Sequence, residues 1–291
     1  MIDQKPKSQN KCIAFEIQNR IGGGSSAFSW YNIAMEGIFN TSAELELARR
    51  LVETGRDPGE ADLLARLILR FLILPNPPGG DKSFPRYSEL QNKLDSATLD
   101  GSGEELEEAF LELYVHVHMN EAPYTSDERR QMDEAGGYWN HAGGLSPILK
   151  AKPWIDPETV SADFGAGNGL QALLLQLLYP HARTDQIEIS SRMKDIGEGL
   201  QEWLGVSSDR INWINDDVLD VSAMGYDFIY LYRPVRPEGA GRDFYTRFAR
   251  EVESEETPPV IFSIADCLRD FLSDRYEVVY GDGHLTCYKP R

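Results

Sequence analysis

The stretch VSADFGAGNGLQALLLQLL, Val160–Leu178, decides the fold of this chain. An alternating, β-prone segment runs into three glycines at every second position, Gly165, Gly167 and Gly169, and then into a leucine-rich helix. Glycine lets the backbone turn tightly and lets a ligand approach without meeting a Cβ. Leu170, Leu173, Leu174, Leu177 and Leu178 form one stripe, so the helix is expected to pack on a sheet. The spacing is G-x-G-x-G, with Leu170 where a dinucleotide fingerprint needs its third glycine. No Gly-Lys-Ser/Thr follows, so a P-loop fails as well.

Downstream, short apolar segments alternate with amphipathic ones. TVSADF, TDQIEIS, RINWIN, YDFIYLY and PPVIFSIAD read as strands; GLQALLLQLL, SRMKDIGEGLQEWL, GRDFYTRFAREVE and CLRDFLSD read as helices. This rhythm predicts an α/β fold with a doubly wound, mostly parallel sheet. RYEVVY and HLTCYKP, joined by Gly281-Asp282-Gly283, predict a C-terminal antiparallel hairpin.

Upstream the chain reads as helices. One starts at Ser42, with Leu45, Ala48 and Leu51 as its apolar positions. A second spans about Glu60–Leu74 and stops before PNPPGGD. Ser102-Gly-Glu-Glu105 and Thr125-Ser-Asp-Glu128 are capping boxes that open two more. The expected organisation is a flexible segment over 1–24, an all-helical cap over 25–150 and a ligand-binding sheet domain over 151–291.

The 291 residues carry a formal charge of -18, and both halves are acidic. Nucleic acid and anionic membrane are therefore disfavoured as partners, because both need clustered Lys and Arg. Cys12, Cys267 and Cys287 are odd in number and widely spaced, which suggests neither a disulfide framework nor a zinc site. No metal is expected: His116 and His118, two apart on a helix, diverge by about 200°. The polar start MIDQKPKSQNK and the short apolar run Leu67–Leu74 predict a soluble, cytoplasmic protein. Gly22-Gly-Gly-Ser25-Ser26 reads as a flexible lead-in, and His181 and His284 carry no functional expectation.

Asp163-Phe-Gly165-Ala-Gly167-Asn-Gly169 resembles the D/E-x-G-x-G-x-G motif of class I S-adenosylmethionine (SAM)-dependent methyltransferases, over about residues 155–291. The resemblance implies a seven-stranded sheet ending in an antiparallel hairpin, and SAM as cofactor. It gives Asp163 the methionine end of SAM and Glu188, ending the second strand, the ribose hydroxyls. Asp217, or alternatively Asp216, would take the adenine amino group, and the end of Asp227–Arg233 would face cofactor and acceptor. Singly, each acidic residue is also what a solvated turn or helix cap carries. Four such features in order point to the cofactor.

Methyl transfer from a sulfonium is an in-line displacement with a neutral leaving group, so alignment matters more than a fixed catalytic triad. Two segments are candidates for the acceptor. Tyr138, Trp139, Asn140 and His141 lie between glycine pairs, where His141 is a possible base and the alternative is a packing junction. Tyr232, Arg233 and Arg236 follow the fourth strand, where the arginines can grip an anion or simply pair with surface carboxylates. No Asn-Pro-Pro-Tyr-type motif stands there, against the branches that methylate adenine or glutamine amides. The reading is a methyltransferase for a small-molecule acceptor. The alternatives are a non-catalytic scaffold of the same fold and a methyltransferase acting on protein.

Overall fold

The computed structural model describes residues 42–120, 124–137 and 144–291. Its centre is one seven-stranded sheet of β1 (Val160–Phe164), β2 (Arg183–Ile187), β3 (Ile211–Ile214), β4 (Phe228–Tyr232), β5 (Val260–Ile264), β6 (Tyr276–Gly281) and β7 (Leu285–Pro290). The order is β3-β2-β1-β4-β5-β7-β6. The first five strands run parallel, and β7 is antiparallel to both neighbours. This is the doubly wound sheet with a terminal hairpin that the alternation predicts. The order reverses between β1 and β4, which opens a crevice at their carboxyl ends.

Alternation along the strands assigns each face its own core. Ala162, Phe164, Ile229, Leu231 and Ile261 pack against Phe244, Tyr245 and Phe248 of the helix Ala240–Ser254. On the other face Phe228, Tyr230, Phe262 and Ile264 join the helices Leu170–Leu178 and Ser191–Leu204. That second core continues without a break into the helical half. Phe71 stands edge-on to both Phe110 and Trp203, with ring centroids 5.3 and 5.7 Å away. Polar ties cross at the same place: Arg70 Nη2 donates to Leu204 O at 2.6 Å, and Trp203 Nε1 to Pro75 O at 2.8 Å.

The predicted helices Ser42–Glu53, Pro58–Ile73, Gly103–Met119 and Ser126–Ala135 are present, and both capping boxes close reciprocally. Three details differ from expectation. Leu45 is 62% exposed, because the inward stripe of its helix is Glu44, Leu47, Ala48 and Leu51. A helix at Tyr87–Asp100 was not expected; it buries only Tyr87, Leu90 and Leu94, a stripe too narrow to stand out in sequence. CLRDFLSD forms turns rather than a helix. There Ala265 takes φ 50°, and Asp266 accepts hydrogen bonds from Leu268 N and Ser263 Oγ, so the chain is diverted before a helix can start. Among the described residues no helix is long and apolar enough to cross a membrane.

Candidate functional site

The crevice between β1 and β4 holds a cavity of about 350 Å³, at the small end of the size range of ligand sites. Its first wall is the glycine turn. Gly165, Gly167 and Gly169 all have positive φ, at 81°, 58° and 67°. A Cβ on Gly165 would stand 2.8 Å from that of Pro234, so only glycine lets the exits of β1 and β4 approach this closely. The amides of Gly165 and Ala166 both donate to Ile187 O, which ties the turn to the end of β2. Gly169 serves a different purpose. It is outside the lining, and a side chain there would run into Gln186 and the ring of Trp213, so it is a packing glycine.

Asn168 precedes the N-cap Gly169 and reaches forward to the helix that follows. Its Oδ1 accepts from Leu170 N at 3.3 Å, and its Nδ2 donates to Val117 O of the helical half at 2.8 Å. The first amide of the helix is thus occupied by a buried side chain rather than offered to a phosphate.

Three carboxylates reach the cavity: Asp163, Glu188 and Asp217. Glu188 accepts from Gly167 N at 2.8 Å and Ser190 N at 2.9 Å, so it braces the turn it faces. Burial pushes its pKa up to about 7, against those backbone bonds. Asp163 is 2% exposed, and its Oδ1 has no hydrogen-bond partner among the described residues. Burial first, and then the charge of Glu188, pushes its pKa up to about 8. Asp217 is half-buried and accepts from Leu219 N at 2.9 Å; burial raises its pKa too. Asp216 is exposed, outside the lining, and bonded to Asp217 N.

At the exit of β4, Tyr232 and Arg233 line the cavity, whereas Arg236 is exposed and outside the lining. Its backbone amide donates to Gly136 O beside the Gly137–Val235 bridge, which pins the end of the helical half against the β4 exit. Tyr138, Trp139, Asn140 and His141 follow immediately and lie outside the described residues, as do Cys12 and the segment 1–24.

Several lining residues carried no functional expectation. His284 sits at the mouth, edge-on to Tyr232 with ring centroids 5.9 Å apart. His118 and Tyr124 enter from the helical half, and Gln171 and Tyr230 form part of the inner wall. Only Tyr230 had a local signal, its place two residues before the end of β4. His181, by contrast, is a core residue, bonded to Tyr179 O, Ser161 and Thr184 far from the cavity lining.

No family model and no curated protein matches the chain. Some solved structures are similar to part of it. TrmN from Thermus thermophilus is 14% identical, with 50% of this chain and 46% of that one covered at TM-score 0.36. A protein from Listeria monocytogenes, provisionally described as a SAM-dependent methyltransferase, is 12% identical over 41% of this chain and 52% of that one, at TM-score 0.32. Precorrin-6y C5,15-methyltransferase from Geobacter metallireducens GS-15 is 13% identical over 54% and 92%, at TM-score 0.39. The match spans about half the length of the first two. The fold assignment rests on the strand order; these likenesses add nothing on activity or acceptor.

Proposed function

We propose that the chain is a SAM-dependent methyltransferase acting on a small-molecule acceptor. The observation that carries this is the buried Asp163 carboxyl at the switch point, its Oδ1 without a hydrogen-bond partner among the described residues, with Glu188 and Asp217 on the neighbouring strand exits. Three carboxylates around a glycine turn suit a cationic ligand with hydroxyl and amino donors and repel a pyrophosphate. Asn168 across the helix start argues the same way.

When bound, SAM supplies an electrophilic methyl group on its sulfonium. The residues of the chain do the rest. Each oxygen of Glu188 already takes one backbone N–H, which leaves a lone pair on each for the two ribose hydroxyls. In this reading Asp217 takes the adenine amino group and Asp163 the ammonium. Tyr232, Arg233 and His284 border the outer part of the cavity, where an acceptor enters. Burial raises the pKa of Tyr232, so its hydroxyl stays protonated near neutral pH and acts as a hydrogen-bond donor. Among the described residues, His284 at the mouth brings an imidazole that can take a proton from an acceptor.

Calorimetric titration with SAM, using NADH and ATP as controls, tests the cofactor. Micromolar binding of SAM alone is expected, and Gly167→Trp should remove it while the circular-dichroism spectrum stays unchanged. Labelled-methyl transfer into a cell extract then separates enzyme from scaffold. Label found only in protein would replace the small-molecule acceptor with a protein one, and no SAM binding by folded protein would refute the cofactor.

A further inference from the structure

A second concavity, of about 520 Å³, lies between the helix Ala240–Ser254 and the segment Asp270–Arg275. Three arginines line it, Arg242 and Arg250 from the helix and Arg275 from the facing segment, in a chain whose formal charge is -18. Neighbouring arginines are paired with carboxylates: Arg247 with Glu251 at 3.7 Å and Arg269 with Asp266 at 3.5 Å. Arg242 and Arg250 are exposed and have no ion pair among the described residues. Arg275 donates to Glu253 O, which fixes its guanidinium on the facing wall. The two carboxylates of the groove leave the arginines in excess. Glu253 accepts from Ser273 N at 2.6 Å, and Asp270 has no ion pair among the described residues.

The floor is apolar. Ala249 is buried, and Phe271 is half-buried with its ring tilted on Tyr245, centroids 5.4 Å apart. Arg242, Thr246 and Arg250 follow at four-residue steps and so form one ridge. Thr246, midway, has its hydroxyl tied to Arg242 O at 2.8 Å and demands no polar partner. From Arg242 to Arg250 the helix rises about 12 Å. In an extended peptide, positions i and i+4 are about 13 Å apart and point the same way as i+2. The ridge thus matches an extended segment with an acidic residue at each end and an apolar one between. A polynucleotide fits less well, because the field of the whole acidic chain repels a long polyanion and Glu253 and Asp270 stand among the arginines.

We infer that this groove is a docking site for an acidic segment of a partner protein, of the pattern acidic-x-apolar-x-acidic in extended form. The outer carboxylates pair with Arg242 and Arg250, the central side chain reaches past Thr246 to Ala249 and Phe271, and Arg275 donates to the peptide backbone. The acidic remainder of the chain repels such a segment, so the groove also fixes where it lands. The site is independent of the SAM reading.

The test uses the full chain and an end-blocked, fluorescein-labelled pentapeptide, Glu-Ser-Leu-Ser-Glu, followed by fluorescence polarisation up to millimolar protein at low salt. Two exposed ion pairs suggest that Gln-Ser-Leu-Ser-Gln binds about 3-fold to 30-fold more weakly, and added salt should erase that difference. Glu-Ser-Ser-Ser-Glu, which lacks the apolar centre, should also bind more weakly. The double variant Arg242→Gln, Arg250→Gln should weaken the acidic peptide by the same factor and leave the glutamine peptide unaffected. Both arginines are exposed, so the variant should fold and bind SAM as the wild type does, which a thermal melt and calorimetry check. No binding of the acidic peptide by folded wild type overturns the proposal. So does equal binding of the glutamine peptide, or an affinity unmoved in the double variant. A uridine oligonucleotide that binds more tightly than the peptide, and loses affinity in the double variant, would overturn it in favour of nucleic acid.

Discussion

Asp163→Asn should make the ligand-free protein more stable and cofactor binding weaker, and the gain in stability should grow with pH. The carboxyl is buried, its Oδ1 has no hydrogen-bond partner among the described residues, and its pKa is raised from 3.8 to about 8. A group whose pKa is higher in the folded state contributes its full stability below its unfolded pKa. That contribution is lost as pH rises toward and through the folded value. Each pH unit in this window is worth ~1.4 kcal/mol, so between pH 5 and pH 8 the ceiling is about 4 kcal/mol. Local relaxation and water entry reduce such penalties, and about 2 kcal/mol is the expected change for this buried group. Asparagine has nearly the same shape and no charge. Urea unfolding of both proteins at pH 5 and pH 8 gives the comparison directly. The variant's advantage should be about 2 kcal/mol larger at pH 8 than at pH 5, while its SAM affinity falls at least 10-fold at pH 8. A stability difference that does not change with pH would refute the reasoning.

Other outcomes follow from the same geometry. A cation beside Asp163 and Glu188 favours their ionised forms, so SAM binding near pH 7 should release up to about one proton and tighten as pH rises toward 8. Calorimetry in buffers of different ionisation enthalpy measures this, and zero release would contradict it. Gly169→Ala puts a methyl group into Gln186 and Trp213 at a backbone with φ 67°, and should cost roughly 3 kcal/mol in urea unfolding or prevent folding. Asn168→Ala leaves Val117 O without its donor across the two halves, for an expected loss of about 1–3 kcal/mol.

The sheet was legible because its evidence is local. Parallel strands covered on both faces read as short apolar runs, and β4 and β5 fall where those runs are, while β1 and β2 fall on the more polar segments VSADF and RTDQI that the strand–helix rhythm marks. The two capping boxes were legible for the same reason, since Ser102 and Thr125 bond residues three positions away. CLRDFLSD misled because its apolar spacing is helical. The competing Asp266 turn and the left-handed Ala265 leave no trace in that spacing. Leu45 misled because two leucine registers compete on one helix, and only packing chooses Leu47.

The site divides along the same line. Asp163, Gly165, Gly167, Glu188 and Asp217 are legible because the chain order of an α/β sheet places strand exits around one crevice. Gly169 and Gly167 look alike in the motif, and only the neighbours Gln186 and Trp213 reveal that one of them packs helix on sheet. The inner wall depends on pairs far apart in sequence: Tyr114 with Gln171, Asn168 with Val117, Asp163 with Tyr230. His284 reaches the mouth only because β7 turns back beside β5 and its carbonyl takes the Ala265 amide. Such residues carry no motif, since what they do depends on which element folds over them. The consequence is chemical. The carboxylates at the strand exits, Asp163, Glu188 and Asp217, all come from the sheet half, while the rest of the cavity wall is divided between the two halves, with His118, Tyr124 and Met132 from the helical one. The helical half is therefore where chains with this same glycine turn can diverge in what they bind.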